Sequence, residues 1–340
     1  MTPKHFAALA VAAAICFAAA LAIYSASTPW APAAPRGVAL FEQLRGTPPE
    51  IARIDVKQGL NTLTLERSGK DWLLKQHDGF AAAPAKVRTL IVALAEADLV
   101  EAKTRLRERY PLLALEDPAM DGAASRLVQL SDAQGNTIAS LIVGRKSTNA
   151  FGSGKSGTYV RRPGEAQTWL VSTEIDAGAS LRDWIEPRLF EARPRDVKRL
   201  AIKSPGQEDI DIELSPDGSE HRLMNIPDGM KIKYVNSIDD IAEAASSFDF
   251  DDVKRSQAPA SGNDVSTVKL DLANGLACTF RIRKDGGNAW LSLEASGEGE
   301  AKKEADELNT RAKGWEFRIP MAKVNAIFKK REELLEKIAS

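Results

Sequence analysis

The sequence has few of the residues from which disulfide frameworks and metal sites are built. It contains two cysteines and three histidines in 340 residues, too few for a disulfide scaffold or for most zinc chemistry. It also lacks an excess of either charge, because 46 Lys and Arg stand against 47 Asp and Glu for a net charge of −1. A nucleic-acid-binding protein normally carries a basic excess or stripe, so the composition disfavours that class.

The composition that is present is that of a folded globular protein. Hydrophobic residues make up 44% of the chain and charged residues 27%, which excludes disorder over the whole chain. A chain of this length exceeds one ordinary core and predicts two domains plus a tail.

One long apolar run lies near the start of the chain. Phe6–Tyr24 has neither a charge nor a proline, and at the helical rise it spans roughly 28 Å, close to the hydrocarbon core of a bilayer. We expect residues 1–24 to be a retained membrane anchor. The alternative is a cleaved signal peptide, because Ser25-Ala26-Ser27 offers a small-x-small cleavage site.

Charge flanking the run predicts its orientation. Lys4 and the amino terminus precede it, whereas the next positive charge is Arg36, which favours an amino terminus inside the cell. The sequence therefore predicts a single-pass membrane protein with residues 25–340 across the membrane. Residues 25–45 begin with the proline-rich stretch Ser25–Arg36 and are expected to form an extended linker.

The remaining chain has the appearance of a tandem duplication, with repeats at 46–190 and 191–338. Each begins with an apolar strand, Ile51–Val56 or Val197–Ile202, followed by alternating strands and a helix. Two further hairpins close each copy, and Asn274-Gly275 is a strong turn signal for one of them. We expect an α+β fold in which each repeat is a mainly antiparallel sheet unit braced by helices.

Apolar residues at helical spacing predict three helices. The first begins near Pro84, which suits a first helical turn; the last is expected to cover Met321–Ile338. Between the last two strands of the second repeat, Ser296–Lys313 is expected to be a polar insertion. The predicted apolar stripes are Val87, Leu90, Ile91 and Leu94 in the first helix, and Val235, Ile238, Ile241, Ala242 and Ala245 in the second.

Two motifs suggest ligand chemistry, but their context favours a structural role. Asn149–Ser156 differs from a P-loop only at its first position, yet Gly157–Arg161 after it has a strand pattern instead of the helix that a phosphate site needs. Asp249 and Asp251 share one face if Phe248–Asp252 is a strand. We expect a solvated charged edge with Lys254 and Arg255 as partners, and not a calcium or acid–base site.

The other reactive residue types also favour structural interpretations. Cys278 lies in an alternating segment that places it on the buried face of a strand, and Cys16 lies inside the apolar run. His221 is expected in a hairpin arm and His77 in a turn. Strand tryptophans are more often core residues than sugar-stacking residues; Trp72, Trp169, Trp290 and Trp315 are expected on strands. The sequence therefore assigns no catalytic, cofactor-binding or metal-binding residue.

The order of several segments resembles the bacterial family labelled domain of unknown function 4340. Over residues 45–335, these segments are Trp72–Leu74, the helix Val87–Ala97, Leu141–Lys146, Gly157–Gly164 and Lys313–Pro320. The resemblance implies a membrane-anchored envelope protein, held in the bacterial inner membrane with the bulk of the chain in the periplasm. Such proteins are often encoded beside ABC transporters of the gliding-motility type and are described as auxiliary components. It implies a partner, and it supplies no catalytic residues or cofactor.

These observations lead to a functional expectation with one alternative. We expect a non-enzymatic, membrane-tethered extracytoplasmic interaction protein, auxiliary to an ABC-type transport complex, which binds neither nucleic acid nor nucleotide. The alternative is a module that binds an envelope glycan or lipid, which needs exposed aromatic side chains in a concave surface. An enzyme is the least favoured class, since no set of nucleophile, base and orienting group is visible.

Overall fold

The computed structural model describes residues 17–19, 37–46, 49–148, 150–151, 155–256, 262 and 264–338. The first ten strands, in chain order, are β1 (Val38–Ala39), β2 (Arg53–Gln58), β3 (Asn61–Ser68), β4 (Asp71–Leu74), β5 (Phe80–Ala81), β6 (Asp98–Ala102), β7 (Arg126–Ser131), β8 (Thr137–Ser147), β9 (Gly157–Arg161) and β10 (Thr168–Val171). The remaining strands are β11 (Arg188–Glu191), β12 (Val197–Lys203), β13 (Ile210–Leu214), β14 (His221–Leu223), β15 (Met230–Ile232), β16 (Ser247–Asp249), β17 (Asp252–Arg255), β18 (Val265–Leu272), β19 (Ala277–Asp285), β20 (Asn288–Ser296), β21 (Trp315–Ile319) and β22 (Leu335–Lys337).

Helices are fewer than strands among the described residues. The α-helices are α1 (Pro84–Glu96), α2 (Ser237–Ala245), α3 (Glu300–Ala312), α4 (Met321–Ile327) and α5 (Arg331–Leu334). Short 3-10 helices cover Glu42–Leu44, Lys75–His77, Arg107–Leu113, Leu181–Asp183 and Pro194–Asp196. The fold is therefore α+β with mainly antiparallel sheets, as the sequence predicts.

The predicted membrane run falls almost entirely outside the described residues, of which only 17–19, in a helix, belong to it. No helix within the described ranges is long and apolar enough to cross a membrane. The anchor at 1–24 stays a prediction.

The chain divides into two compact units, each built from two stretches of sequence. Unit 1 consists of the described residues of Met1–Thr62 together with Thr89–Ala177, and unit 2 consists of Leu63–Arg88 together with Gly178–Ser340. The boundaries therefore lie inside β3 and inside α1. The predicted repeats at 46–190 and 191–338 are defined by similarity along the sequence and not by compactness, and they stay a prediction.

Unit 1 is built on strands that are all antiparallel to their neighbours. They lie in the order β1–β6–β10–β9–β8–β7–β2. The 3-10 helix Arg107–Leu113 packs on this sheet through a small apolar core that includes Tyr110, Leu115 and Ile142. Gly144 in β8 makes this approach possible, because a Cβ there would lie 2.3 Å from the Leu113 carbonyl oxygen.

Unit 2 contains an antiparallel sheet in the order β14–β13–β12–β18–β19–β20–β21–β17. Residues Leu63–Ser68 of β3 belong to the same unit and form an antiparallel meander with β4 and β5. Two ribbons, β11 with β16 and β15 with β22, complete its strand pairing.

An aromatic cluster forms part of the core of unit 2. The Phe80 ring stands edge-on to Trp315 at 5.0 Å and to Phe250 at 5.9 Å between centroids, and Phe250 contacts Phe317 at 4.9 Å. All four side chains are at most 9% exposed. The early residue Phe80 therefore completes a core whose other members come from the last third of the chain.

Three helix predictions need correction. The polar insertion Ser296–Lys313 contains α3, whose buried positions are the small residues Ala301, Ala305 and Ala312. Val235 lies before α2 and is 91% exposed. The predicted helix Met321–Ile338 is broken, because α4 ends at Ile327 and Leu335–Lys337 pairs with Met230–Ile232 as a strand.

Candidate functional site

A groove in unit 2 lies where two neighbouring strands separate. Strand β20 pairs with β21 only over Ala289–Leu291, whereas it continues to Ser296 beside β19. The helix α3 connects these strands and borders the gap. The resulting groove has a volume of about 700 Å³, which is within the size range of small-molecule sites.

The side chain of Asn309 replaces a strand partner at one end of the groove. Its amide donates to the Ala295 carbonyl and its oxygen accepts from the Ala295 N–H, both at 2.8 Å. The edge of β20 is therefore closed there by a helix side chain. Other residues lining the groove are Thr279, Ser292, Glu294, Lys313 and Trp315.

Cations cover the aromatic residues near the groove. The Arg255 guanidinium lies 3.9 Å from the ring centroid of Trp315, and the Lys254 ammonium lies 3.9 Å from that of Trp290. A sugar that stacks on Trp315 must therefore displace Arg255 or use the ring edge. The groove is predominantly a polar surface with one aromatic edge.

A buried carboxylate lies beside this surface. Glu316 is 5% exposed, and its Oε2 is 3.2 Å from Arg283 Nη2 and 3.5 Å from Lys254 Nζ. Two cations therefore compensate one buried charge. This arrangement stabilises the pairing of β17, β21, β20 and β19, and no substrate group is needed to explain it.

The acidic segment after α2 is arranged differently from the prediction. β16 ends at Asp249, the chain turns, and Asp251 Oδ1 accepts from Arg318 Nε at 2.6 Å. Asp252 lies 3.2 Å from Arg318 Nη1 and 3.3 Å from Nδ1 of His77.

The predicted partners Lys254 and Arg255 are therefore wrong for these carboxylates, because they cover Trp290 and Trp315 instead. Asp249 is paired with Arg188. Among the described residues, no group of three or more His, Cys, Asp or Glu side chains is arranged to hold a metal ion.

The string that resembles a P-loop leads into a strand, as expected. Gly157–Arg161 is β9, and a Cβ on Gly157 would lie 2.4 Å from the Val171 carbonyl oxygen. This glycine is thus explained by close strand packing. Residues 149 and 152–154 lie outside the described residues.

His221 joins the helix α2 to the sheet of unit 2. Its ring is buried, with Nδ1 2.9 Å from Asp239 Oδ1 and Nε2 3.2 Å from the Val197 carbonyl oxygen. The backbone N–H of His221 also donates to Asp239 Oδ1 at 3.0 Å. The sequence correctly placed His221 in a hairpin arm but gave no signal for Asp239, which lies on a different element.

Cys278 is a buried residue of β19, as predicted. Burial raises the pKa of its thiol to about 12, and the nearby Glu304 carboxylate contributes in the same direction. The thiol is therefore neutral at physiological pH, and a neutral thiol is a poor nucleophile. Cys16 lies outside the described residues.

The tryptophans are mostly core residues, as the sequence suggests. Trp72, Trp184 and Trp315 are buried, whereas Trp169 and Trp290 are half-buried. Trp184 donates from its indole nitrogen to the Gly178 carbonyl at 2.8 Å. None of these five tryptophans therefore presents a fully exposed indole on which a sugar could stack.

The geometry defines an α+β chain of two sheet-rich units, with polar grooves and extensive ion pairs on the surface of unit 2. The profile of a family described as domain of unknown function (DUF4340) matches residues 72–272, more than half of the chain. The chain belongs to that family, which confirms the resemblance. No curated protein and no solved structure matches the chain.

Proposed function

We propose that the protein is a non-enzymatic, membrane-tethered accessory component of an ABC-type transport complex. Its membership of the family that matches residues 72–272 supports this proposal, because the resemblance to that family implies a membrane-anchored auxiliary component of the envelope. The sheet-rich units offer strand edges and polar faces of the kind that proteins use to bind other proteins.

The proposed location is the bacterial inner membrane, with the units in the periplasm. The apolar run Phe6–Tyr24 would hold the chain there. Alanine is frequent in this run, and small side chains let helices approach closely in a bilayer. The run is therefore also suited to contact the membrane helices of a transporter.

We further propose that the two repeats arose by duplication. The strand order β6–β10–β9–β8–β7–β2 in unit 1 has a counterpart in β17–β21–β20–β19–β18–β12 in unit 2. In both cases the last strand opens the repeat. The first strand follows helix α1 directly in unit 1, whereas in unit 2 the short strand β16 lies between α2 and β17. This agreement supports a common ancestor for residues 46–190 and 191–338.

Crosslinking in intact cells tests the transporter proposal. The full chain is compared with a form in which residues 1–24 are replaced by a cleavable signal, and with a form whose run has leucine in place of alanine. We expect the native chain alone to capture transporter subunits efficiently, since the leucine form keeps the anchor but loses close helix approach.

Two results would contradict this proposal. In the first, carbonate-washed membranes retain none of the protein, and the mature chain is found to start near Thr28. The other is a native chain that remains in the membrane but captures no transporter subunit.

A second candidate function is binding of an envelope glycan or lipid. The groove of about 700 Å³ beside α3 favours it, because hydroxyl, amide and charged groups line it next to the edge of Trp315. Binding of purified envelope glycan to the full chain would test it. We expect Lys313→Ala in the groove to weaken such binding, whereas Lys302→Ala on the outer face of α3 is the matched control.

A further inference from the structure

One segment of unit 1 combines exposed leucines with arginines. In Arg105–Leu112, Leu106 is 47% and Leu112 65% exposed. Arg105, Arg107 and Arg109 are also exposed, and Glu108 is the single acidic residue of the segment. We refer to Arg105–Leu112 as the arginine–leucine loop.

The arginine–leucine loop is firmly held. The Tyr110 hydroxyl donates to the Ala166 carbonyl at 2.6 Å, and the Arg161 guanidinium lies 4.7 Å from the Tyr110 ring centroid. Arg105 Nε donates to Gln167 Oε1 at 2.7 Å. The exposed leucines are thus presented on a fixed support, and binding needs little ordering of the backbone.

The charge of this surface is positive. Three arginines stand against the single carboxylate of Glu108 in this segment. Within the described part of the chain, Arg107 and Arg109 form no ion pair, and two carboxylates in flanking segments have cations of their own. Glu101 lies 2.6 Å from Lys103, and Glu165 lies 3.9 Å from Arg162. Exposed leucine surrounded by unpaired arginine is suited to the interface of an anionic membrane.

The direction of the first strand places the arginine–leucine loop on the side where the linker arrives. Val38 pairs with Leu99 and Ala39 with Asp98, and the two strands are antiparallel. The chain before Val38 therefore runs beside the residues that follow Leu99. From Leu99 to Leu106 the chain can extend at most about 24 Å.

The linker is short enough to keep this side near the membrane. Thirteen peptide units separate Tyr24 from Gly37, and they can reach at most about 45 Å. If Phe6–Tyr24 spans a membrane as proposed above, that membrane therefore lies within reach of the arginine–leucine loop.

We propose that the arginine–leucine loop docks onto the anionic lipid surface of the membrane that anchors this chain. This inference rests on the proposed tether and adds a second contact with the same bilayer. The leucines enter the headgroup region and the arginines bind lipid phosphates. Unit 1 is thereby held at the membrane surface.

The test uses the full chain with Cys16→Ser, reconstituted in vesicles of phosphatidylcholine alone or mixed with phosphatidylglycerol. One exposed thiol is placed at Leu112→Cys, beside the buried Cys278, and its rate of reaction with a water-soluble maleimide is measured. The control is Leu60→Cys, which is 87% exposed in the turn after β2. Leu60 lies two residues beyond the end of β2, and no arginine lies within six residues of it in the sequence.

We expect phosphatidylglycerol to slow labelling at Leu112→Cys and to leave Leu60→Cys unchanged. Three arginines favour docking by roughly a hundredfold, which corresponds to about 1 kcal/mol for each. Replacing Arg105, Arg107 and Arg109 by Gln should remove the slowing, whereas replacing them by Lys should retain it. Circular dichroism checks that these exposed substitutions leave the fold intact.

Flotation of the same samples separates this proposal from the tether. If the chain floats with both vesicles but Leu112→Cys reacts equally fast in each, the docking proposal is wrong and the tether stands. If the chain floats only with phosphatidylglycerol and Leu112→Cys is protected, docking holds without a tether. A chain that floats with neither kind of vesicle contradicts both the tether and the docking proposal. If Leu112→Cys is protected from labelling only in native membranes, the loop binds a protein partner instead.

Discussion

Asp239 on helix α2 accepts two hydrogen bonds from His221 on the edge strand β14. One comes from the backbone N–H at 3.0 Å, and the other joins the ring Nδ1 at 2.9 Å to the same carboxylate oxygen. A single side chain therefore fastens the helix to the sheet and also satisfies an edge-strand donor that would otherwise lack a partner.

Asp239→Ala should loosen helix α2. It leaves a buried imidazole nitrogen and a backbone N–H without their acceptor, at a cost of about 1–3 kcal/mol. Amide hydrogen exchange of Ser237–Ala245 measures this cost locally. Asp240→Ala is the matched control, because Asp240 is in the same helical turn but is exposed; equal acceleration by both substitutions would contradict the assigned role.

Cys278 should resist alkylation in the folded protein. Burial raises the pKa of its thiol to about 12, so reactive thiolate is scarce at pH 8 and access is restricted. In a Cys16→Ser background, we expect iodoacetamide to modify Cys278 only after unfolding. Ser296→Cys adds an exposed thiol one strand away and should react rapidly; equal rates for the two would overturn this prediction.

Asp217 should make the turn before β14 sensitive to acid. The hydroxyls of Ser215 and Ser219 donate to its carboxylate at 2.6 and 2.8 Å and lower its pKa to about 2. Because the pKa of Asp217 is lower in the folded protein, its ionised carboxylate stabilises the fold at pH values above the unfolded-state pKa of 3.8. This contribution is lost as the pH falls toward 2.

The free energy of unfolding of the native protein and of Asp217→Asn is measured at pH 5 and at pH 2.5. Asp217→Asn should reduce stability at pH 5 and have less effect at pH 2.5. Asp228→Asn, in the exposed loop that follows β14, is the control. An effect of Asp217→Asn that is the same at both pH values would contradict the prediction.

Gly144→Ala should displace the arginine–leucine loop. The added methyl group would lie 2.3 Å from the Leu113 carbonyl oxygen and 2.9 Å from that of Ala114. Because both neighbours are backbone atoms, we expect a loss of about 1–3 kcal/mol. Hydrogen exchange of Arg107–Leu113 should accelerate, whereas Thr137→Ala, at the exposed start of the same strand, should have little effect.

Local patterns in the sequence predict the strands and hairpins well. Alternation of apolar residues identifies β18 and β19, and Asn274-Gly275 marks the turn between them. These signals are correct because turn chemistry and the period of two act within a few residues. The order of segments was likewise sufficient to identify the family.

Features that depend on contacts between distant residues could not be predicted from local sequence patterns. Helix α3 buries only alanines, so its sequence has no stripe of large apolar residues that could be recognised. The helical spacing after Ile327 is overridden because Leu335 pairs with Ile232. The groove beside α3 also depends on the contact between Asn309 and Ala295, which joins a helix to a strand edge.

The position of Phe80 has a consequence for biosynthesis. This residue is made early, yet its aromatic neighbours Trp315 and Phe317 follow more than two hundred residues later. At ordinary elongation rates the wait is on the order of tens of seconds. Throughout that interval the apolar segment around Phe80 lacks the aromatic neighbours that bury it, and it must be shielded from aggregation. A chain cut near residue 190 leaves each fragment without part of unit 2, so the two halves can regain the native core only by finding each other.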